Sequence, residues 1–145
     1  AREAYEKCLE LEPENVFSLV RLGVLSEQDK GLDEAEQYYL KAAKLKGGDA
    51  LSMRHLARIS YSRGDMDKAR EYLHQALNAN HNDAAAMNML ARIYLESGED
   101  PQVAEVLARQ SAALKPAKEQ FWMTLAKALE VQEKFDEAEQ VRSRF

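Results

Sequence analysis

The chain has 145 residues, of which 46% are hydrophobic and 31% charged, with only 6 glycines and 3 prolines. This composition is that of a helical domain with a real core, and it excludes the collagen-like and disordered classes. The net charge of −5 argues against a general nucleic-acid-binding surface, and no apolar run approaches the roughly 18–20 residues of a membrane span. Cys8 is the single cysteine, which excludes an internal disulfide.

Helical patterns follow one another from the first residue to the last. One pattern lies within residues 1–15, and two patterns each lie within 16–49, 50–83, 84–118 and the incomplete segment 119–145. The chain starts without Met inside a helical pattern, so we expect a piece of a longer protein. A single cysteine slightly favours the reducing cytoplasm, but a signal or anchor in the missing part would change that expectation.

Two sets of anchor residues repeat along the chain with the same period. An alanine after a short polar turn recurs every 34 or 35 residues, at Ala1, Ala35, Ala69, Ala104 and Ala138. A leucine followed by Gly or Ala recurs with it, at Leu22, Leu56, Leu90 and Leu125. A helix pair with small residues on its inner face cannot bury its apolar surface alone, so successive pairs are predicted to stack.

This pattern resembles the tetratricopeptide repeat, whose signature is W-x2-L-G-x2-Y…A-x3-F…P. The closest match is Trp122-x2-Leu125-Ala126 followed by Phe135 and Ala138, and Leu19-x2-Leu22-Gly23 matches elsewhere. The resemblance implies an all-α, right-handed α-solenoid of antiparallel helix hairpins. It also implies a non-catalytic module that binds a protein or peptide partner on the concave face formed by the first helix of each repeat.

The residues of that concave face follow from the helical period. Counting Val16, Ala50, Ala84 and Glu119 as position one, the buried stripe takes positions 4, 7, 8 and 11, which leaves positions 2, 5, 9 and 12 for solvent or a ligand. The predicted peptide-binding residues are Phe17, Val20, Val24, Leu51, Arg54, Arg58, Tyr61, Asn88, Arg92 and Lys127. The face is therefore predicted to begin apolar and to become cationic.

The cationic part is expected to bind a carboxylate. Arg54 and Arg58 are four residues apart on one helix, and such like-charge pairs cost roughly 0.2–0.5 kcal/mol. Arg58 is also predicted to face Arg92 with no acid at that level. An acidic or C-terminal carboxylate segment would relieve this repulsion through charge-assisted hydrogen bonds. Alternatively, these arginines are solvated residues whose stems cover apolar surface.

Other functions find less support. A structural or oligomerisation module could act through apolar ends, where Tyr5, Cys8, Leu9, Val141 and Phe145 would be exposed, or through its convex face. RNA recognition by helical repeats has only the short cationic row in its favour. The three histidines have no metal-ligand spacing, and no phosphate-binding loop or nucleophile–base pair is recognised, so no catalysis, metal or cofactor is expected.

The tripeptide Arg63-Gly64-Asp65 also occurs in extracellular adhesion sites. Here it aligns with the turns between the two helices of the other repeats. Gly64 is expected to end the first helix and Asp65 or Asp67 to cap the second, so we interpret the tripeptide as a structural turn.

Overall fold

The computed structural model describes residues 1–45 and 50–145, so the predicted boundary at residue 49 lies outside the described residues. All the regular structure in these two ranges is helical. The helices are α1 (Arg2–Leu11), α2 (Val16–Gln28), α3 (Leu32–Lys44), α4 (Ala50–Ser62), α5 (Met66–Ala79), α6 (Ala84–Ser97), α7 (Pro101–Leu114), α8 (Glu119–Val131) and α9 (Phe135–Arg142). We call α2, α4, α6 and α8 the first helices and the others the second helices.

Local sequence signals account for the helix boundaries. The side chains of Asn15, Asp65 and Asp83 each accept a hydrogen bond from the backbone N–H three residues later, which caps the start of α2, α5 and α6. Pro101 begins α7, where its missing N–H costs no hydrogen bond. Gly98 ends α6 with a φ of 71°, in the left-handed region that glycine adopts readily.

The described chain divides into two compact units, which we call unit 1 (Ala1–Asn80) and unit 2 (His81–Phe145). Within each unit, helices that are adjacent in the sequence pack against each other, and in unit 2 α8 also contacts α6. The α2–α3 pair is antiparallel, because Gly23 lies against Tyr39 while Ser26, one turn later, bonds to Glu34, which is earlier in α3.

The anchor residues lie where the hairpins are closest. Ala35, Ala69, Ala104 and Ala138 on the second helices are buried, as are Gly23, Ala57, Ala91 and Ala126 on the first helices. A β-carbon added to Gly23 would lie 2.6 Å from Cε1 of Tyr39, whose side chain is fully buried. Gly23 is therefore required by the large ring opposite it, and the remaining pairs use alanine.

The cores of the two units combine large and small side chains in different ways. Leu19, Val20, Tyr39, Leu56 and Ile59 form one cluster in unit 1. In unit 2, Phe121, Leu125 and Leu129 of α8 meet mainly alanines of α6 and α7. Small residues on one helix and large residues on the next interdigitate, which is how stacked helices reach the packing density of a protein interior.

Candidate functional site: the first-helix faces

The ten predicted binding residues differ in their exposure. Phe17 is 66% exposed and Leu51 is 38% exposed. Arg58, Arg92 and Lys127 are exposed, while a third group is half-buried: Val24, Arg54 and Tyr61. The remaining two, Val20 and Asn88, are buried.

The burial of Val20 and Asn88 corrects the sequence prediction. Val20 belongs to the core cluster of unit 1, together with Leu56 and Ile59 of α4. Asn88 is 8% exposed, and its Oδ1 has no hydrogen-bond partner among the described residues. A first helix packs against more than one neighbour, so its buried sector is wider than the four-position stripe that the helical period identifies.

In unit 1, a carboxylate belonging to the chain already contacts the cationic face. Oε2 of Glu27 on α2 accepts a hydrogen bond from Nη2 of Arg58 on α4 at 2.5 Å and lies 3.3 Å from Nδ1 of His55. The ring of His55 stacks on that of Tyr39, with 4.7 Å between the ring centroids. We call Glu27, Tyr39, His55 and Arg58 the Glu27 cluster.

This arrangement shows that the expectation of no acid at the level of Arg58 is wrong. Glu27 is at position 12 of one repeat and Arg58 at position 9 of the next, so the two are 31 residues apart in the sequence. Within one helix, positions 12 and 9 lie on the same face, but the contact seen here joins two successive repeats. An acid and a base on successive first helices, separated by slightly less than one repeat length, are the sequence signal for such an ion pair.

The surroundings of His55 in the Glu27 cluster determine its protonation state. Burial lowers the pKa of His55; the Glu27 carboxylate opposes this shift, and the positive charge of Arg58 adds to it. The net direction is downward, so the imidazole is neutral at pH 7. Because a guanidinium can only donate, Nδ1 of His55 is the acceptor of the 2.9 Å contact with Nη2 of Arg58.

Tyr39 completes the buried side of the cluster. Burial and the nearby Glu27 carboxylate raise the pKa of Tyr39, so its phenol stays protonated at every physiological pH. Glu27 is consequently enclosed between a neutral aromatic ring and the Arg58 cation, with 12% of its side chain exposed.

In unit 2, the cationic residues line an open cavity instead. The cavity has a volume of about 170 Å³ and lies between α6 and α8, lined by Arg92, Leu95, Glu96, Met123, Thr124 and Lys127. We call it the α6–α8 cavity. Lys127 makes no ion pair with any residue that the structure describes, and Oγ1 of Thr124 donates to the carbonyl of Gln120. The structure thus brings two of the predicted binding residues, Arg92 and Lys127, to one cavity.

The edges of the repeats are joined by polar contacts that the sequence analysis missed. The residue after three of the alanine anchors contacts the turn of the following repeat: Arg2 with Asp29, Glu36 with Arg63, and Glu105 with Gln132. Arg63 also pairs with Asp33, at 2.6 Å.

These contacts settle the place of the Arg63-Gly64-Asp65 tripeptide in the fold. Arg63 is held by two acids of α3, and Asp65 accepts a hydrogen bond from the backbone N–H of Lys68. Gly64 has a φ of 81°, which few residues other than glycine adopt. Both charged side chains of the tripeptide therefore hold the turn together.

Neither a metal-binding group nor a membrane-spanning helix occurs among the described residues. No group of three or more His, Cys, Asp or Glu side chains there could hold a metal ion. Within the same residues, no helix has both the length and the apolar character needed to cross a membrane.

Comparison with known families matches two models, both described as tetratricopeptide repeat, at residues 1–50 and 60–113. The chain belongs to the tetratricopeptide repeat family, and its fold is an all-α helical-repeat solenoid. Members of this family are in general non-catalytic interaction modules. A comparison with curated protein sequences gives no significant match.

Solved structures agree with this assignment. The structure of MamA is 25% identical in sequence and has a TM-score of 0.80 over 98% of this chain and 82% of MamA. YrrB, described as a TPR protein with an unusual peptide-binding site, is 19% identical, with a TM-score of 0.86 over 97% of this chain and 72% of YrrB. The APC/C hetero-tetramer Cut9–Hcn1 is 19% identical, with a TM-score of 0.79 over 97% of this chain and 28% of that one.

Proposed function

We propose that the protein is a non-catalytic scaffold that binds an extended or helical segment of a partner protein on its first-helix faces. The family and the structural neighbours support a protein–protein interaction scaffold. One neighbour is described by its peptide-binding site and another by its assembly with a second subunit. The bound segment carries acidic residues or a free carboxylate, together with apolar residues.

The observation that carries the proposal is the α6–α8 cavity. Arg92 and Lys127 both line it, and Lys127 has no acid partner within the described residues. Because both cations line one cavity, a single carboxylate that enters it can receive charge-assisted hydrogen bonds from each. Exposed apolar side chains on the first helices of unit 1, chiefly Phe17 and Leu51, offer apolar contacts to a partner.

A peptide array tests this proposal directly. Short acidic peptides are synthesised with a free C-terminus and as carboxamides, and their binding is measured by fluorescence polarisation. The Arg92→Gln/Lys127→Gln double variant is expected to weaken acidic peptides by about 10- to 100-fold, in line with the loss of two charge-assisted contacts.

The matched control is Lys41→Gln/Lys44→Gln, which removes two exposed cations from the second helix α3. It should bind like the wild type, and circular dichroism should give the same helix content for all three proteins. Acidic peptides that bind the Arg92/Lys127 double variant as tightly as the wild type would contradict the groove assignment.

A second candidate function is self-association. Leu11 is 83% exposed and Phe145 is 53% exposed. In unit 2, Trp122 and Val141 line a further cavity of about 330 Å³, where the Arg144 guanidinium lies 4.1 Å from the centroid of the Trp122 ring. Exposed apolar surface of this kind is typical of contact surfaces.

Size-exclusion chromatography with light scattering over a range of concentrations tests self-association. A dimer that Phe145→Asp dissociates and Val106→Asp leaves intact supports contact through the C-terminal residues. Val106 is the matched control because it is likewise 53% exposed but lies on the second helix α7. A monomer at all concentrations rules this function out for the chain.

A further inference from the structure

Units 1 and 2 place different residues at the same repeat positions of the first-helix face. In unit 1, position 12 of one repeat and positions 6 and 9 of the next are Glu27, His55 and Arg58, which contact one another. In unit 2 the corresponding residues are Leu95, Thr124 and Lys127, and all three line the α6–α8 cavity.

The substitutions explain why one location is filled and the other open. Threonine is smaller than histidine, and leucine supplies no carboxylate where unit 1 has Glu27. The cation at position 9 is kept, as Arg58 in unit 1 and Lys127 in unit 2. Unit 2 therefore retains the cation at position 9 and has open space at position 12, where a leucine takes the place of the acid.

Nearby charges favour a ligand carboxylate in that space. Two cations, Arg92 and Lys127, line the cavity with a single acid, so the lining carries a net positive charge. Glu96 also lines the cavity but makes no ion pair with Lys127. The volume of about 170 Å³ exceeds that of several water molecules at roughly 30 Å³ each, and is sufficient for a carboxylate and its adjoining methylenes.

From this internal equivalence we propose that the α6–α8 cavity binds a glutamate side chain of the partner, in the place that Glu27 takes in unit 1. A side chain rather than a chain terminus is proposed because Glu27 itself reaches Arg58 as a side chain from a neighbouring helix. Arg92 and Lys127 bind the carboxylate, and Leu95 packs on its methylenes. This inference rests on the proposed function and names the ligand of one part of the face.

The test uses blocked amino acids as probes and two-dimensional NMR of the whole chain. N-acetyl-glutamate N-methylamide, whose only carboxylate is its side chain, should shift the Thr124 and Lys127 signals with a dissociation constant in the millimolar range. The neutral glutamine analogue should not. N-acetyl-leucine, whose only carboxylate is terminal, should bind more weakly; equal or tighter binding of it would overturn the side-chain assignment.

Two substitutions at one position separate charge from shape. Leu95→Glu supplies the missing internal acid and should weaken the glutamate probe about tenfold or more. Leu95→Gln, similar in size but uncharged, loses only part of the apolar packing and should weaken the probe clearly less than Leu95→Glu does. If Leu95→Glu binds the probe as the wild type does, or if the glutamate and glutamine probes give equal shifts, the inference is wrong.

A reciprocal variant examines unit 1. Glu27→Leu removes the internal acid, so signals of His55 and Arg58 that do not respond in the wild type should shift with the glutamate probe. Continued silence of these signals would contradict the equivalence of the two locations. Acidic peptides that still require Arg92 and Lys127, in a protein that ignores the glutamate probe, would refute this inference while leaving the proposed function intact.

Discussion

Unit 1 and unit 2 meet the same packing requirement with different pairs of side chains. In unit 1, Gly23 faces the large ring of Tyr39, whereas the corresponding residues of unit 2 are Ala91 and Ala108. The Tyr39 ring also stacks on His55 and lies near the carboxylate of Glu27. Unit 1 thus combines a large core residue with a closed polar cluster, whereas unit 2 combines a pair of alanines with an open cavity.

The largest loss of stability is expected when Gly23 of unit 1 is replaced by alanine, the residue that unit 2 has at the corresponding position. In Gly23→Ala, the new β-carbon would lie within 3 Å of the Tyr39 ring, which is buried and cannot move aside. Overpacking costs about 1–3 kcal/mol, and the better helix propensity of alanine returns at most about 1 kcal/mol. Urea denaturation should therefore show a net loss of stability.

The corresponding change in unit 2 is the comparison. Ala91→Gly introduces no clash and should cost about 1 kcal/mol through helix propensity, plus roughly 0.8 kcal/mol for the buried methyl group that is lost. A double-mutant cycle of Gly23→Ala with Tyr39→Leu should show that the smaller side chain relieves the clash. Additive effects in that cycle would mean that the ring is not what excludes a side chain at Gly23.

A smaller effect is expected from the contacts between repeat edges in unit 2. Glu105 accepts hydrogen bonds from Lys134, Arg109 and Gln132. Burial tends to raise the pKa of Glu105, but these three hydrogen bonds outweigh it and lower the pKa below the ordinary 4.5. Glu105→Gln should destabilise the protein by about 1 kcal/mol at pH 7, since the partners are largely exposed.

The pH dependence of this effect has a defined sign. A carboxylate with a lowered pKa in the folded state stabilises fully above its ordinary pKa and loses that contribution as the pH falls below 4.5 through the lowered value. The difference between Glu105→Gln and the wild type should therefore disappear in acid. Glu139→Gln, at the corresponding position of the last repeat, is the control and should have little effect on stability at pH 7.

The smallest expected effect is the pH dependence of stability that His55 contributes in unit 1. The folded state disfavours a proton on His55, because burial and Arg58 lower its pKa below 6.5. The unfolded chain then binds that proton more readily, so stability should fall as the pH is lowered from about 6.5 towards the pKa of the folded state.

Substitution of this histidine gives the measurement. His55→Gln should have a flatter stability profile between pH 7 and pH 5 than the wild type. Unit 2 has Thr124 at the place of His55 and contributes no such slope. Parallel profiles for His55→Gln and the wild type would show that the imidazole is accessible to protons in the fold.

Much of the fold could be read from the sequence because it repeats. The anchors predicted an all-α helical-repeat solenoid, and this is confirmed. The periodicity also identified Gly23 and Ala91 as inner-face residues, but the pairing of Gly23 with Tyr39 depends on side-chain size at a contact between two helices, which a one-dimensional pattern does not contain.

The candidate site was predicted less completely. A helical period gives the direction of a side chain and not the number of neighbours around it, so Val20 and Asn88 were assigned to the surface although they are buried. The role of Arg58 depended on an acid 31 residues away, beyond the range of any pattern within one helix. Lys127 and Arg92 were identified correctly as face residues, and their binding role stays a prediction.

The contacts between repeat edges constrain how such a chain can be rearranged. In unit 1, the contact Arg2–Asp29 has its cation on the earlier repeat, whereas Glu36–Arg63 has it on the later one. If the repeat containing Asp29 and Glu36 were duplicated in tandem, Glu36 of the first copy would meet the aspartate of the second, and two acids would face each other. The alternating sign therefore opposes slipped pairing or tandem duplication of this repeat, so the order of the repeats is specified by charge as well as by covalent connection.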